Sequence, residues 1–246
     1  MKKSIFILIL LMSWSSTVLS QKDFGLWSSV DLKVPITKKL DVGVGINARF
    51  KSNVSEVQKT FLSPFVSYRM ADFLKVGADY RFANYPEMGF FGNHYTHRIT
   101  LDADFDLLQY KRKRSDSLSS SKLQLSGRIR YTYENEIGDL DDENLRGQLK
   151  LEFDFPKDIG LKASLSSEVF FHFKDQIRYT SKAVTTYNRF NKMRVRAGFE
   201  YAINKRSTVD LFYMVEPEFE SPKTDYVIGV GYVYEIRRLN KGKKKK

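Results

Sequence analysis

Tyr95-Thr96-His97-Arg98-Ile99-Thr100-Leu101-Asp102-Ala103-Asp104-Phe105-Asp106-Leu107 is the stretch on which the fold turns. Tyr95, His97, Ile99, Leu101, Ala103, Phe105 and Leu107 fall on one face of a period of two. Thr96, Arg98, Thr100, Asp102, Asp104 and Asp106 fall on the other. A helix would mix these sets. A strand separates them, because successive strand side chains point to opposite faces. The run is also longer than the usual five or six residues of a globular strand, and it suits a tilted strand that crosses a bilayer with a rim at each end.

The same alternation recurs on both sides of this segment. Strands are expected near 24–36, 39–52, 57–70, 73–83, 94–110, 122–134, 144–155, 159–174, 187–203, 207–217 and 225–236. No helical periodicity interrupts them. The expected fold is therefore all-β: a single antiparallel transmembrane β-barrel of about 10–12 strands spanning residues 21–236. Connections at 37–38, 71–72, 156–158 and 204–205 are tight, whereas 84–93, 135–143, 175–186 and 218–224 are longer. Short periplasmic turns and long outer loops produce that alternation. Bacterial single-chain barrels normally have an even strand number, and eleven segments are odd, so the parity stays open. Either 175–186 holds a further strand, or the first strand starts on the outer side.

One face of the strands is apolar and carries aromatics near the strand ends: Tyr80 and Phe82, Tyr131 and Tyr133, Phe153 and Phe155, Phe171 and Phe173, Phe199 and Tyr201, Tyr232 and Tyr234. These read as two interfacial girdles. The alternative is a soluble barrel or sandwich with this face inside. That arrangement would bury many tyrosine hydroxyls, and each would need a partner.

The first residues support export. Lys2 and Lys3 precede the apolar run Ile5-Phe6-Ile7-Leu8-Ile9-Leu10-Leu11-Met12, and small and polar residues follow to Ser20. This order predicts a signal peptide over 1–20 with Gln21 beginning the mature chain. The run is too short for a spanning helix, which needs roughly 20 apolar residues. The expected location is the bacterial outer membrane, with membrane lipid as the first partner. The chain has no cysteine, which excludes a cysteine-linked lipid anchor, disulfides, thiolate catalysis and zinc–thiolate sites.

The net charge of +12 is local. Lys2 and Lys3 leave with the signal. Lys111-Arg112-Lys113-Arg114-Ser115-Asp116 and the tail 237–246, with Arg237, Arg238, Lys241, Lys243, Lys244, Lys245 and Lys246, hold the rest of the excess. The barrel region is thus neutral overall, and nucleic acid is not an expected partner. The tail reads as disordered and, like the 111–121 connection, as periplasmic, where contact with anionic lipid or cell-wall polymer is the sharper reading and simple solubilisation the plainer one.

The strand ending Ile46-Asn47-Ala48-Arg49-Phe50, the early Trp27, Phe65-Val66-Ser67-Tyr68-Arg69 and Val76-Gly77-Ala78-Asp79-Tyr80-Arg81 form a recurring pattern. Gly127-Arg128-Ile129-Arg130-Tyr131, Asn188-Arg189-Phe190 and Val195-Arg196-Ala197-Gly198-Phe199-Glu200-Tyr201 continue it. Across nearly the whole mature chain the pattern resembles a family of Bacteroidota outer-membrane barrels known only as a domain of unknown function, of the 2490 type. The resemblance implies the barrel fold. It implies no activity and no functional residue.

If the apolar face meets lipid, the other face lines a lumen. That face has fourteen basic and fourteen acidic residues over the predicted strands, which suggests cross-strand pairing. A lumen charge ladder is expected from Arg98, Asp102, Asp104, Asp106, Arg128, Arg130, Arg146, Glu152, Arg194, Arg196 and Glu200. A general porin needs about 16 strands, and a tube of 10–12 is narrow enough for long side chains to fill. The leading reading is a structural or largely plugged barrel. The second is a narrow, porin-like channel or transporter, with Arg128, Arg130, Arg194 and Arg196 as an anion-selecting strip.

An outer-membrane lipid-modifying enzyme is the third reading. Its candidates are His97, outward near a rim, and His172, inward on the strand that carries Ser166 and Glu168. Side chains two apart on one strand run parallel and do not converge, so no catalytic set is expected. Asp139-Leu140-Asp141-Asp142-Glu143 lacks the glycine and distal glutamate of a calcium loop and reads as a solvated acidic loop. No metal site, phosphate-cradling glycine loop, haem or flavin signature stands out, and no cofactor is expected.

Overall fold

The computed structural model describes residues 24–86, 94–113, 120–136, 142–156, 159–173, 189–219 and 224–236. The expected signal segment 1–20, the tail 237–246, the segment 175–186 and most of the stretches 84–93, 111–121 and 135–143 lie outside them.

Eleven strands follow in chain order: β1 Phe24–Pro35, β2 Leu40–Lys51, β3 Glu56–Arg69, β4 Leu74–Tyr85, β5 His94–Lys113 and β6 Ser120–Glu136, then β7 Asp142–Asp154, β8 Leu161–His172, β9 Arg189–Ala202, β10 Ser207–Pro217 and β11 Thr224–Glu235. Each pairs antiparallel with its chain neighbours, and β1 pairs with β11 to close the barrel. The expectation of an all-β barrel of 10–12 strands holds. Its wholly antiparallel character does not, because β1 and β11 run parallel over ten residue pairs, from Phe24 opposite Tyr226 to Lys33 opposite Glu235. The reason is parity: every hairpin reverses the chain, so the first and eleventh strands point the same way. Lys33 braces this seam at one end, its Nζ lying 3.3 Å from Asp41 on β2 and 3.5 Å from Glu235 on β11.

The turns at 36–39, 70–73 and 203–206 share one end, here the turn end. They are closed locally: Thr37 Oγ1 accepts from the amides of Lys39 and Leu40, and Asn204 Oδ1 accepts from those of Arg206 and Ser207. β1 begins at the opposite, loop end, where Asn53 Oδ1 accepts a hydrogen bond from the Phe24 amide at 3.2 Å.

The apolar face is the outer surface. Ile46, Ile99, Leu101, Ile129, Leu149, Leu165 and Leu211 stand near or above half exposed. This is consistent with a membrane barrel and overturns the soluble alternative with that face inside. Aromatics belong to the same surface. Phe82 stacks on Tyr95 at 5.6 Å, and Phe153 meets Phe155 edge-on at 4.8 Å.

Among the described residues three bulges interrupt the alternation. One at Leu107 lets Leu107 and Leu108 both face outward. A second slips β2 against β3 beyond Arg49. A third, between Phe170 and Phe171 on β8, leaves Asn191 of β9 without a ladder partner.

Candidate functional site in the barrel lumen

The inward face is not wholly polar. Trp27, Phe61, Phe170 and Phe212 point inside with Met214 and Val227. Phe61, Phe170, Met214 and Val227 are among the most buried side chains of the molecule. The girdle aromatics expected on the apolar face are thus joined by a second, luminal set. Room for the rings comes from glycine: a Cβ on Gly229 would fall within the Phe212 ring, and one on Gly43 would strike Phe65. Arginines stack on these rings. Arg49 lies 3.6 Å from the Trp27 centroid, Arg196 lies 3.6 Å from that of Phe212, Arg81 sits over Phe61, and Arg146 and Arg194 sit over Phe170. A ring face attracts a cation through its quadrupole, so these contacts substitute in part for carboxylates.

The ladder residues all lie on this inner wall. Arg130 grips Asp102 with two hydrogen bonds of 2.5 and 3.0 Å, a fork on a carboxylate. Arg98 pairs with Glu134, Arg128 with Asp104 and Arg196 with Asp210. Asp106 accepts from Gln124 at 2.6 Å. Arg194 bridges Glu168 at 2.9 Å and Glu216 at 2.5 Å. Glu152 and Glu200 both approach Lys150, at 2.8 and 3.9 Å. Arg146 is the exception, with Asn144 Oδ1 as its acceptor at 2.7 Å. The four arginines of the expected basic strip, Arg128, Arg130, Arg194 and Arg196, are therefore each matched by a carboxylate.

The cations without carboxylates lie elsewhere. Among the described residues, Arg49, Lys59, Arg81 and Arg146 form no ion pair; Lys59 donates to Tyr85 Oη at 2.6 Å. In the loop-end half three cation pairs sit directly opposite across neighbouring strands, Arg49 and Lys59, Arg81 and Arg98, Arg130 and Arg146, and Arg69 and Lys75 do so at the turn end. Lys59 and Lys192 were absent from the expected luminal set, although each shares its parity with arginines counted there.

The space between these side chains is divided. A chamber of about 760 Å³ lies in the loop-end half, with Arg49, Lys59, Arg81, Arg130, Arg146 and Arg194 in its wall. A second cavity of about 250 Å³ shares Arg81 and Arg130 with it. A third of about 200 Å³, at the turn end, shares Lys75, Asp104 and Arg128 with the second. The ion-paired Arg130, Arg128 and Asp104 are thus among the side chains at which successive cavities adjoin.

Over residues 24–227 the chain matches the family described as protein of unknown function (DUF2490). The chain belongs to this family. The match begins with β1 and ends inside β11, so in this chain the DUF2490 region is the barrel itself. No curated protein and no solved structure matches the chain.

Within this DUF2490 barrel the two histidines of interest are structural neighbours of the strands. His97 faces outward, its Nδ1 2.5 Å from Tyr80 Oη and its ring 5.3 Å from Phe82. His172 faces inward with Nδ1 3.2 Å from Asp142 and Nε2 2.7 Å from the Asn191 amide. Both ring nitrogens of His172 are engaged, and neither partner is Ser166 or Glu168. Among the described residues no group of acidic and histidine side chains has the arrangement of a metal site.

Proposed function

We propose that the chain is a bacterial outer-membrane barrel whose lumen is closed by its own side chains, and that its role is structural, not that of a general porin. The observation that carries this reading is that the Arg130–Asp102 and Arg128–Asp104 pairs reach into the lumen where its successive cavities adjoin. An ion crossing the tube would have to part these pairs. Parting them is costly in a low-dielectric interior, because each charge is then left without its partner. The apolar outer band and the signal-like first twenty residues support the location. We read the role as non-catalytic, in line with the engagement of His172 by Asp142 and Asn191 and of His97 by a girdle tyrosine.

The test is single-channel conductance of residues 21–246, folded in a planar bilayer. Silence from protein shown to be folded is expected. Steady openings in the unmodified protein would overturn the closed-lumen reading. They would support a narrow anion-preferring channel, which the surplus of cations around the loop-end chamber favours. In that case Arg130→Gln would lower the preference for chloride over potassium.

A further inference from the structure

We propose that the loop-end chamber is a binding site for a phosphate-bearing polyanion, held by Arg49, Lys59, Arg81 and Arg146. The inference goes beyond the closed-lumen reading, because a site in the loop-end chamber needs no passage through the tube.

The argument starts from register. Like charges placed directly opposite in a sheet repel. This barrel does so three times in one half of its lumen, at Arg49 and Lys59, Arg81 and Arg98, and Arg130 and Arg146. A chain can relieve each clash by supplying carboxylates. Here Glu134 relieves Arg98 and Asp102 relieves Arg130. Arg49, Lys59, Arg81 and Arg146 form no ion pair among the described residues. Their neighbours are the rings of Trp27, Phe61 and Phe170, the Asn144 side chain and the Tyr85 hydroxyl. Rings and neutral oxygens soften the cost of an enclosed cation without cancelling its charge. At the turn end Arg69 and Lys75 also sit opposite, but the cavity they line carries Asp72, Asp104, Asp106 and Glu152 in its wall, and there Arg128, Lys150 and Lys162 each have a carboxylate.

All four uncompensated or ring-paired cations face the one chamber. Lys59 and Arg146 are also among the most buried charged side chains. The volume of about 760 Å³ suits a small ligand, whose sites commonly measure about 300–1,000 Å³. Guanidinium forks match phosphate oxygens bidentately, and a lysine adds a compact point charge. Arg81 Nε and Arg98 Nε are buried without a hydrogen-bond partner, which leaves donors to spare. Four cations on four strands call for more than one anionic centre, so a single monoanion would leave most of the repulsion in place. The ring faces in the same wall accommodate the apolar or cyclic part of such a molecule. A soluble phosphorylated solute and a phosphorylated lipid headgroup share this chemistry.

The test is calorimetric titration of the folded mature protein in zwitterionic detergent, with two probes: inorganic pyrophosphate, and detergent micelles doped with lysophosphatidic acid. Saturable binding of at least one probe is expected. The double variant Arg49→Gln with Lys59→Gln should weaken it at least tenfold, while Arg128→Gln, in the turn-end half, should leave it unchanged. Binding of pyrophosphate points to a soluble ligand, and binding of the lipid alone to a headgroup. Absence of saturable binding with both probes would overturn the proposal, as would equal weakening by Arg128→Gln. Should the double variant fold poorly, Arg146→Met supplies a second readout. The melting temperature of the unmodified protein should rise with the concentration of the probe that binds, by mass action, and the rise should shrink in Arg146→Met. An equal rise in both proteins also overturns the site. A barrel that conducts yet binds pyrophosphate refutes only the closed lumen, and one that is silent yet binds neither probe refutes only the site.

Discussion

Asp102 and Arg130 show how a charged side chain is kept inside a narrow barrel. The pair is directly opposed across β5 and β6, its two hydrogen bonds are parallel, and both side chains are largely enclosed. Removing one partner leaves the other charge stranded, whereas removing both together restores neutrality. Arg130→Met is therefore expected to destabilise the folded barrel by about 3 kcal/mol in urea unfolding from lipid vesicles. The double variant Arg130→Met with Asp102→Leu should recover most of that loss. Additive losses would show that the two side chains act independently. This pair was legible in the sequence because both residues lie on alternating runs of opposite sign in neighbouring strands. Trp27, Phe61, Phe170 and Phe212 were not. Their parity is luminal, but hydrophobicity alone assigns a ring to lipid. Only the glycines opposite Phe212 and Phe65 reveal the space that the rings occupy.

At the scale of strands and turns, bulges and tight connections carry the departures from ideal alternation. The bulge opposite Phe170 and Phe171 brings the Asn191 amide to His172, a contact that strict period-two counting along β9 does not anticipate. The turn joining β2 to β3 places Ser52, Asn53 and Val54 in succession at φ of 53°, 55° and 69°. Asparagine tolerates that region well, and β-branched valine tolerates it poorly. Val54→Gly should therefore stabilise the barrel by roughly 1 kcal/mol, the approximate cost of a left-handed residue that bears a Cβ. An unchanged or lower midpoint in urea would mean that the valine costs the turn no more than the freedom a glycine adds to the unfolded chain. The Ser52 carbonyl accepts from the Ser55 amide at 3.1 Å, so the turn is held without the valine side chain.

Over the whole molecule, closure by a parallel seam is the defining feature. Parallel ladders are slightly weaker per residue than antiparallel ones. Here ten pairs and the Lys33 bridge at the turn end hold β1 to β11. Since the chain has no cysteine, the seam can be tested cleanly. Ser28 and Val230 are direct partners across it. Ser28→Cys with Val230→Cys should be joined by a short thiol cross-linker, whereas Ser28→Cys with Leu211→Cys, two strands apart, should not. The reverse outcome would exclude parallel closure. By itself the sequence determined that the chain forms long strands, that one face is apolar and the other charged, and that Asp102, Asp104, Arg128 and Arg130 share the charged face. These follow from local periodicity, because every second side chain of a strand points the same way. Tertiary structure alone decided the direction of the closing pair and the division of the lumen. It also decided which cations lack a carboxylate. Each of these depends on the register between strands far apart in sequence, which bulges and closure set together and no single strand encodes.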